Sequence, residues 1–165
     1  MSHDIEQFED GTSAFFSNRE VPWHRLGTIT EGAQTAENAL KLAQLDWQVT
    51  KADDPITTTV TLGNNKQKVI SLSDKFMTYR NHPKKGVTAL GVVGRDYSVI
   101  QNAEAFDFLN LLVDEYGAQY ETAGSLKDGK QVFVSMKLPD SIKLAGSKDE
   151  VEMYLMATTS HDGRR

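Results

Sequence analysis

Two short segments hold residue types that do chemistry outside any regular pattern. They are Val21-Pro22-Trp23-His24-Arg25-Leu26-Gly27-Thr28 and Thr159-Ser160-His161-Asp162-Gly163. Each sets an aromatic or imidazole group beside glycine and a hydroxyl residue, and neither follows the period of an amphipathic helix or a strand. Histidine switches its charge near neutral pH, so Trp23-His24 invites a catalytic reading. The preferred reading is plainer: Trp23 anchors the segment in the core, His24 bonds a backbone carbonyl, and Gly27 serves a turn needing positive φ. His161 and Asp162 are adjacent, so on a strand they project apart and make no local dyad. A turn after the last strand, with Asp162-Gly163 as its pair, is preferred there. His24, His161 and Asp162 together would suit zinc or iron, but nothing in their spacing joins the two ends of the chain. No metal or cofactor is expected.

Other chemistries fare worse. With no cysteine among 165 residues, disulfides, thiol catalysis and cysteine-ligated metal sites are excluded. Gly86, Gly91 and Gly94 lack the lysine–hydroxyl ending of a phosphate loop, and there is no G-x-S-x-G elbow. The pairs Asp53-Asp54 and Asp149-Glu150 fall in polar loops where nothing would shift a carboxyl pKa.

The best chemical signal is the interleaving of aromatic and basic residues at Lys75-Phe76-Met77-Thr78-Tyr79-Arg80 and Arg95-Asp96-Tyr97. Exposed rings flanked by cations are what single-stranded nucleic acid needs, because bases stack and phosphates pair. Buried strand aromatics give the same letters. Positive charge gathers at Lys66 to Lys68, Lys84-Lys85, Lys127 to Lys130 and Arg164-Arg165, three of these at expected turn tips or the chain end. The formal net charge of −5 argues mildly against wholesale nucleic-acid binding. If a single strand is the ligand, Lys84, Lys85, Arg95, Lys127, Lys130 and Arg164 are the expected phosphate contacts and Tyr97 the stacking surface.

These residues need a scaffold. Hydrophobic content of 39% and charged content of 25% suit a globular chain. No apolar run is long enough to span a membrane and the acidic N-terminus is no secretory signal, so a cytoplasmic location is expected. Residues 1–20 lack periodicity and read as a loosely ordered arm with Phe8 and Phe15-Phe16 as docking points; residues 21–165 read as a single domain. Thr35 should cap a helix over 36–45. Strands are expected at 47–51, 56–62, 66–71, 75–80, 87–93, 97–100, 119–124, 132–138, 142–144 and 151–158. A second, longer helix from Asn102 to Gly117 carries a broad apolar arc that includes Phe106, Phe108, Leu109, Leu112, Val113 and Tyr116. The expected fold is therefore α+β: antiparallel sheet with a long helix packed on one face and a shorter N-terminal helix.

Six ordered motifs carry a resemblance. They are Pro22-Trp23-His24-x-Leu26-Gly27-Thr28, Leu45-Asp46-Trp47, residues 90–97, Gln101-Asn102-x-Glu104-Ala105-Phe106, residues 122–126, and Ser160-His161-Asp162-Gly163. Together they resemble the phage/plasmid-like proteins of domain-of-unknown-function family 932, from about Val21 onward and over the N-terminal half of its members. The resemblance implies a phage or plasmid context and no particular reaction.

The expectation is an accessory protein that binds nucleic acid, in particular single-stranded DNA in recombination or replication, and that self-associates. Two alternatives stay open: a metal-assisted hydrolase using His24, His161 and Asp162, and a factor that binds and antagonises a host protein.

Overall fold

The computed structural model describes residues 4–18, 25–29, 35–143 and 150–164. Trp23 and His24 lie outside the described residues, so the first segment is represented only by its last residues.

The described residues are mostly β. The first strands are β1 (Phe15–Ser17) and β2 (Thr28–Ile29), followed by helix α1 (Ala36–Leu42). Then come β3 (Val49–Lys51), β4 (Ile56–Thr61), β5 (Gln67–Leu72), β6 (Lys75–His82) and β7 (Gly86–Gly94). Two short helices, α2 (Asn102–Phe106) and α3 (Leu109–Tyr116), precede β8 (Gln119–Leu126), β9 (Gln131–Lys143) and β10 (Glu150–Ser160). They form a five-stranded sheet ordered β10-β9-β8-β1-β2, a three-stranded sheet β3-β6-β7 and a two-stranded β4-β5 ribbon.

This corrects the expected α+β fold with one long helix across a sheet. Of the described residues 49% are in strands and 14% in helices, so helices decorate a β structure. The helix expected up to Gly117 is interrupted at Asp107 and Phe108, where Asn110 and Leu111 donate three residues back, to the carbonyls of Asp107 and Phe108. Such a tightened turn brings positions three apart onto one line. Phe106 and Leu109 are the pair so aligned, and both are fully buried. Outside the break the apolar arc is not covered: Phe108, Leu111 and Tyr116 are exposed, and Leu112 and Val113 are only partly buried. Packing of two side chains has overridden helical continuity. Replacing Phe106 with alanine should cost about 3–5 kcal/mol, the usual range for an emptied aromatic core site; a denaturant melt unchanged within error would place Phe106 outside the core.

Local rules account for the other helix ends. Thr35 caps α1, its hydroxyl accepting from the Asn38 amide at 3.2 Å. The Ala36 amide is satisfied from elsewhere, by the Asn110 side-chain oxygen at 2.8 Å, which also accepts from the Tyr120 hydroxyl at 2.7 Å. Gln101 and Glu104 form a capping box at the start of α2, so Asn102, the expected cap, is released for other work. Gly117 ends α3 in the left-handed region, with φ of 69°.

Two expected strands are also revised. Residues 97–100 are irregular, and Pro139 does not end its strand, which continues as part of β9 to Lys143. At the other end of the chain, Phe8 and Phe16 belong to the core cluster and Phe15 is buried. β1 pairs antiparallel with β8 and parallel with β2, so residues 15–17 are internal to the five-stranded sheet. No helix among the described residues is long and apolar enough to cross a membrane.

Candidate nucleic-acid interface

The period-2 alternation of β6 sends Phe76, Thr78, Arg80 and His82 inward and Lys75, Met77, Tyr79 and Asn81 outward. Arg80 is therefore delivered to the interior, where it is fully buried. Its guanidinium makes a two-pronged ion pair with Glu6, likewise fully buried, and lies 4.5 Å from the centroid of the Trp47 ring. Arg80 Nε also donates to Thr88 Oγ1 at 3.2 Å. Ser125 Oγ donates to Glu6 at 2.9 Å, and Lys85 Nζ stands 3.3 Å from the same carboxylate. Burial alone would raise the Glu6 carboxyl, but Arg80, Ser125 and Lys85 hold it below the usual carboxylate range. The network is closed and satisfied, which is the chemistry of a clamp and not of a site open to substrate.

His161 also packs on Trp47, its ring edge-on to the indole with centroids 5.6 Å apart. It is buried, and its Nε2 lies 2.8 Å from Asn102 Oδ1. The Asn102 amide nitrogen donates to the Leu45 carbonyl at 2.8 Å, which leaves its oxygen facing His161, so Nε2 carries the proton. Burial first, and the Arg80 charge second, push the imidazole down to about 4. Its backbone is tied too: the amide donates to Lys130 O, and the carbonyl accepts from Thr78 Oγ1 at 2.7 Å. Asp162, next along, turns outward and caps the Arg164 amide at 2.9 Å. His161 and Asp162 thus part, as adjacent residues at the end of a strand must. Among the described residues no group of three histidine, cysteine, aspartate or glutamate side chains could hold a metal ion.

The last turn docks against β7 at Gly91. A Cβ there would run into the backbone of Asp162, and a side chain at Gly163 would meet Val92 O and Val93 Cγ1. Gly27 similarly lies against the Phe15 backbone with φ of 91°, consistent with a tight turn. These glycines are required by close approach of backbones.

Docking of residues 161–164 beside β7 opens a cleft of about 710 Å³ lined by residues 90–92, Lys127, Lys130, Gln131, Asp162, Gly163 and Arg164. Three of the cations expected to contact phosphate therefore converge. The turn that carries two of them is anchored: Lys127 donates its amide to Asp4 O at 3.0 Å, and buried Gly129 abuts the Arg80 guanidinium. Lys127, Asp128 and Gly129 all have positive φ, which turns the chain sharply enough to bring both lysines to one rim. Lys127 and Arg164 are exposed and Lys130 half-buried. Among the described residues none of the three has a carboxylate within ion-pair distance. The Ser160 hydroxyl donates to the Arg164 carbonyl.

The remaining expected contacts are placed differently. Lys84 pairs with Asp10 at 2.7 Å and donates to Thr12 Oγ1 at 2.6 Å. Lys85 bridges Glu6 and Asp128, the latter at 2.7 Å. Both lysines already have counter-charges. Arg95 is exposed and donates to Ser73 O at 3.1 Å. Tyr97 is half-buried, with its phenol pushed up by burial and by the nearby charge of Asp162, a cleft residue. Lys51 Nζ holds the carbonyls of Arg95 and Tyr97 at 2.7 and 2.8 Å.

Arg80, Glu6 and Trp47 were not among the expected site residues. Alternation sets Arg80 on the side of its strand that carries Phe76 and Thr78, but nothing local points to its carboxylate partner, 74 positions earlier.

No curated protein and no solved structure matches the chain. One family model matches residues 89–165. The match begins at Ala89 and not near Val21, which corrects both the expected reach of the resemblance and its assignment to the family's N-terminal half. All the cleft residues fall inside the matched stretch, whereas Glu6, Trp47 and Arg80 fall outside it. By this match, residues 89–165 are similar to the family described as Domain of unknown function (DUF932).

Proposed function

We propose that the protein binds nucleic acid, in particular single strands, through the cleft between β7, the β8–β9 turn and the last turn, as a cytoplasmic accessory factor in phage- or plasmid-type recombination or replication. The observation that supports this best is the convergence of Lys127, Lys130 and Arg164 on one rim without carboxylate partners among the described residues. On a chain of net charge −5, three cations brought together by two separate turns, with no carboxylate in ion-pair distance among the described residues, favour a polyanion track. Tyr97 and Arg95 lie on the segment leaving β7 and extend the track. His161 is enclosed and bonded to Asn102, which favours binding over hydrolysis.

Fluorescence anisotropy with a labelled oligothymidylate, read across a salt series, tests this. Replacing Lys127, Lys130 and Arg164 together by alanine should weaken binding and lower the log–log salt slope by about 2, since each phosphate contact to a single strand contributes about 0.7. Lys84→Ala should change the slope less, because Asp10 already neutralises that lysine. Absence of salt-dependent binding at low ionic strength, with the fold intact by circular dichroism, would overturn the reading and bring forward a protein partner.

A further inference from the structure

The outward face of the β3-β6-β7 sheet exposes several apolar side chains. Met77 is 40% exposed, Val92 53% and Val87 70%, with Tyr79 half-buried beside exposed Ala89. Register makes these one surface: Met77 pairs with Val92, Tyr79 with Ala89, and Asn81 with Val87. Contiguous exposed apolar surface of this kind marks a place where something binds. Two observations limit what that is. No carboxylate stands on the outward positions of β6 and β7, where Lys75 is the one charged residue and pairs with Asp74 in the preceding turn at 3.4 Å, although the chain as a whole is acidic. The face also borders the basic cleft at the edge strand β7: Val92 lines the cleft together with Leu90 and Gly91, while the last turn itself docks on the opposite side of the sheet, at Gly91 and Thr78.

We propose that this face is where the bases of the bound single strand stack, with Tyr79 as the aromatic platform and Met77 and Val92 as apolar flanks, while the phosphates follow Lys127, Lys130 and Arg164. The proposal rests on the cleft reading and deepens it, by assigning base contacts and a preference for unpaired strands. An open sheet face offers a flat apolar surface, and every base has a π-face to lay on it, so the contact tolerates sequence. In a duplex those faces are already stacked on one another and cannot reach the sheet. The inner face of the same sheet cannot serve, since Thr78, Arg80, His82, Leu90 and Val93 are buried.

The experiment compares three labelled probes of equal length on the unmodified protein: oligothymidylate, an abasic deoxyribose-phosphate oligomer, and a blunt duplex. The abasic oligomer should bind about tenfold or more weakly than oligothymidylate, since stacking is worth ~1–3 kcal/mol per base and ~1.4 kcal/mol is tenfold. The duplex should compete poorly. Tyr79→Ala should remove most of the advantage of oligothymidylate over the abasic oligomer, and Tyr79→Phe should keep it. Equal affinity for the abasic and base-bearing probes, with the salt slope intact, would overturn the stacking surface and leave the cleft reading standing. Failure of all three probes to bind would overturn both. If Tyr79→Ala does not fold, the probe comparison on the unmodified protein decides alone.

Discussion

Arg80→Met should destabilise the fold by about 3–5 kcal/mol, the cost of breaking a buried ion pair by removing one partner. Arg80 and Glu6 have no exposed side-chain surface, so the Glu6 carboxylate cannot rehydrate when the guanidinium goes. Ser125 and Lys85 still reach it, which tempers the loss without replacing two charge-assisted bonds. The guanidinium also fills the space between the Trp47 ring and Gly129, and methionine fills that space incompletely. The double replacement Glu6→Met and Arg80→Met should recover a large part of the stability, because a paired apolar substitution leaves no stranded charge. Guanidinium denaturation of the four proteins of this cycle measures it. A loss below about 1 kcal/mol for Arg80→Met would put the pair in the class of surface salt bridges and contradict its burial.

Lowering the pH from about 7 to about 4 should remove about 3 kcal/mol of stability through His161 alone, because each pH unit separating the folded and unfolded titrations is worth ~1.36 kcal/mol. The imidazole falls from the ordinary 6.5 to about 4 in the folded protein. Between those values the unfolded chain binds a proton that the folded chain refuses, so stability drops as pH falls through the window and levels off below it. His82, also held down by burial and by Arg80, works in the same direction. Glu6, depressed in the folded state, adds its own loss below about pH 4.5. Asn102→Asp should shrink the His161 component, because a carboxylate 2.8 Å from Nε2 favours the imidazolium. Denaturation midpoints across this range check the slope, and a His161→Gln variant with the same slope as the parent would falsify the assignment.

Much of the β scaffold was legible in the chain because its signals are local. Gly63-Asn64-Asn65 marks the turn between β4 and β5, residues 127–129 the turn between β8 and β9, and Gly117 the end of α3; each acts within a few residues, through backbone conformations that glycine and asparagine reach cheaply. Strand alternation likewise sets Met77 and Tyr79 on one face and Arg80 on the other. The turn reading of Asp162-Gly163 was local in the same sense. For the site, the sequence supplied candidate cations but no means of ranking them.

Tertiary structure decided how those cations are placed. Lys84 and Lys85 meet Asp10, Glu6 and Asp128, whereas Lys127, Lys130 and Arg164 are assembled by the docking of the last turn onto Gly91. The broken helix at Asp107 and the enclosed Arg80–Glu6 pair have the same origin. A helical period, a strand alternation or a turn is set by neighbours in the chain, so composition reports it. Charge pairing, desolvation and close backbone approach depend on residues such as Glu6 and Arg80 that meet only after the chain has folded, and no local pattern encodes the partner.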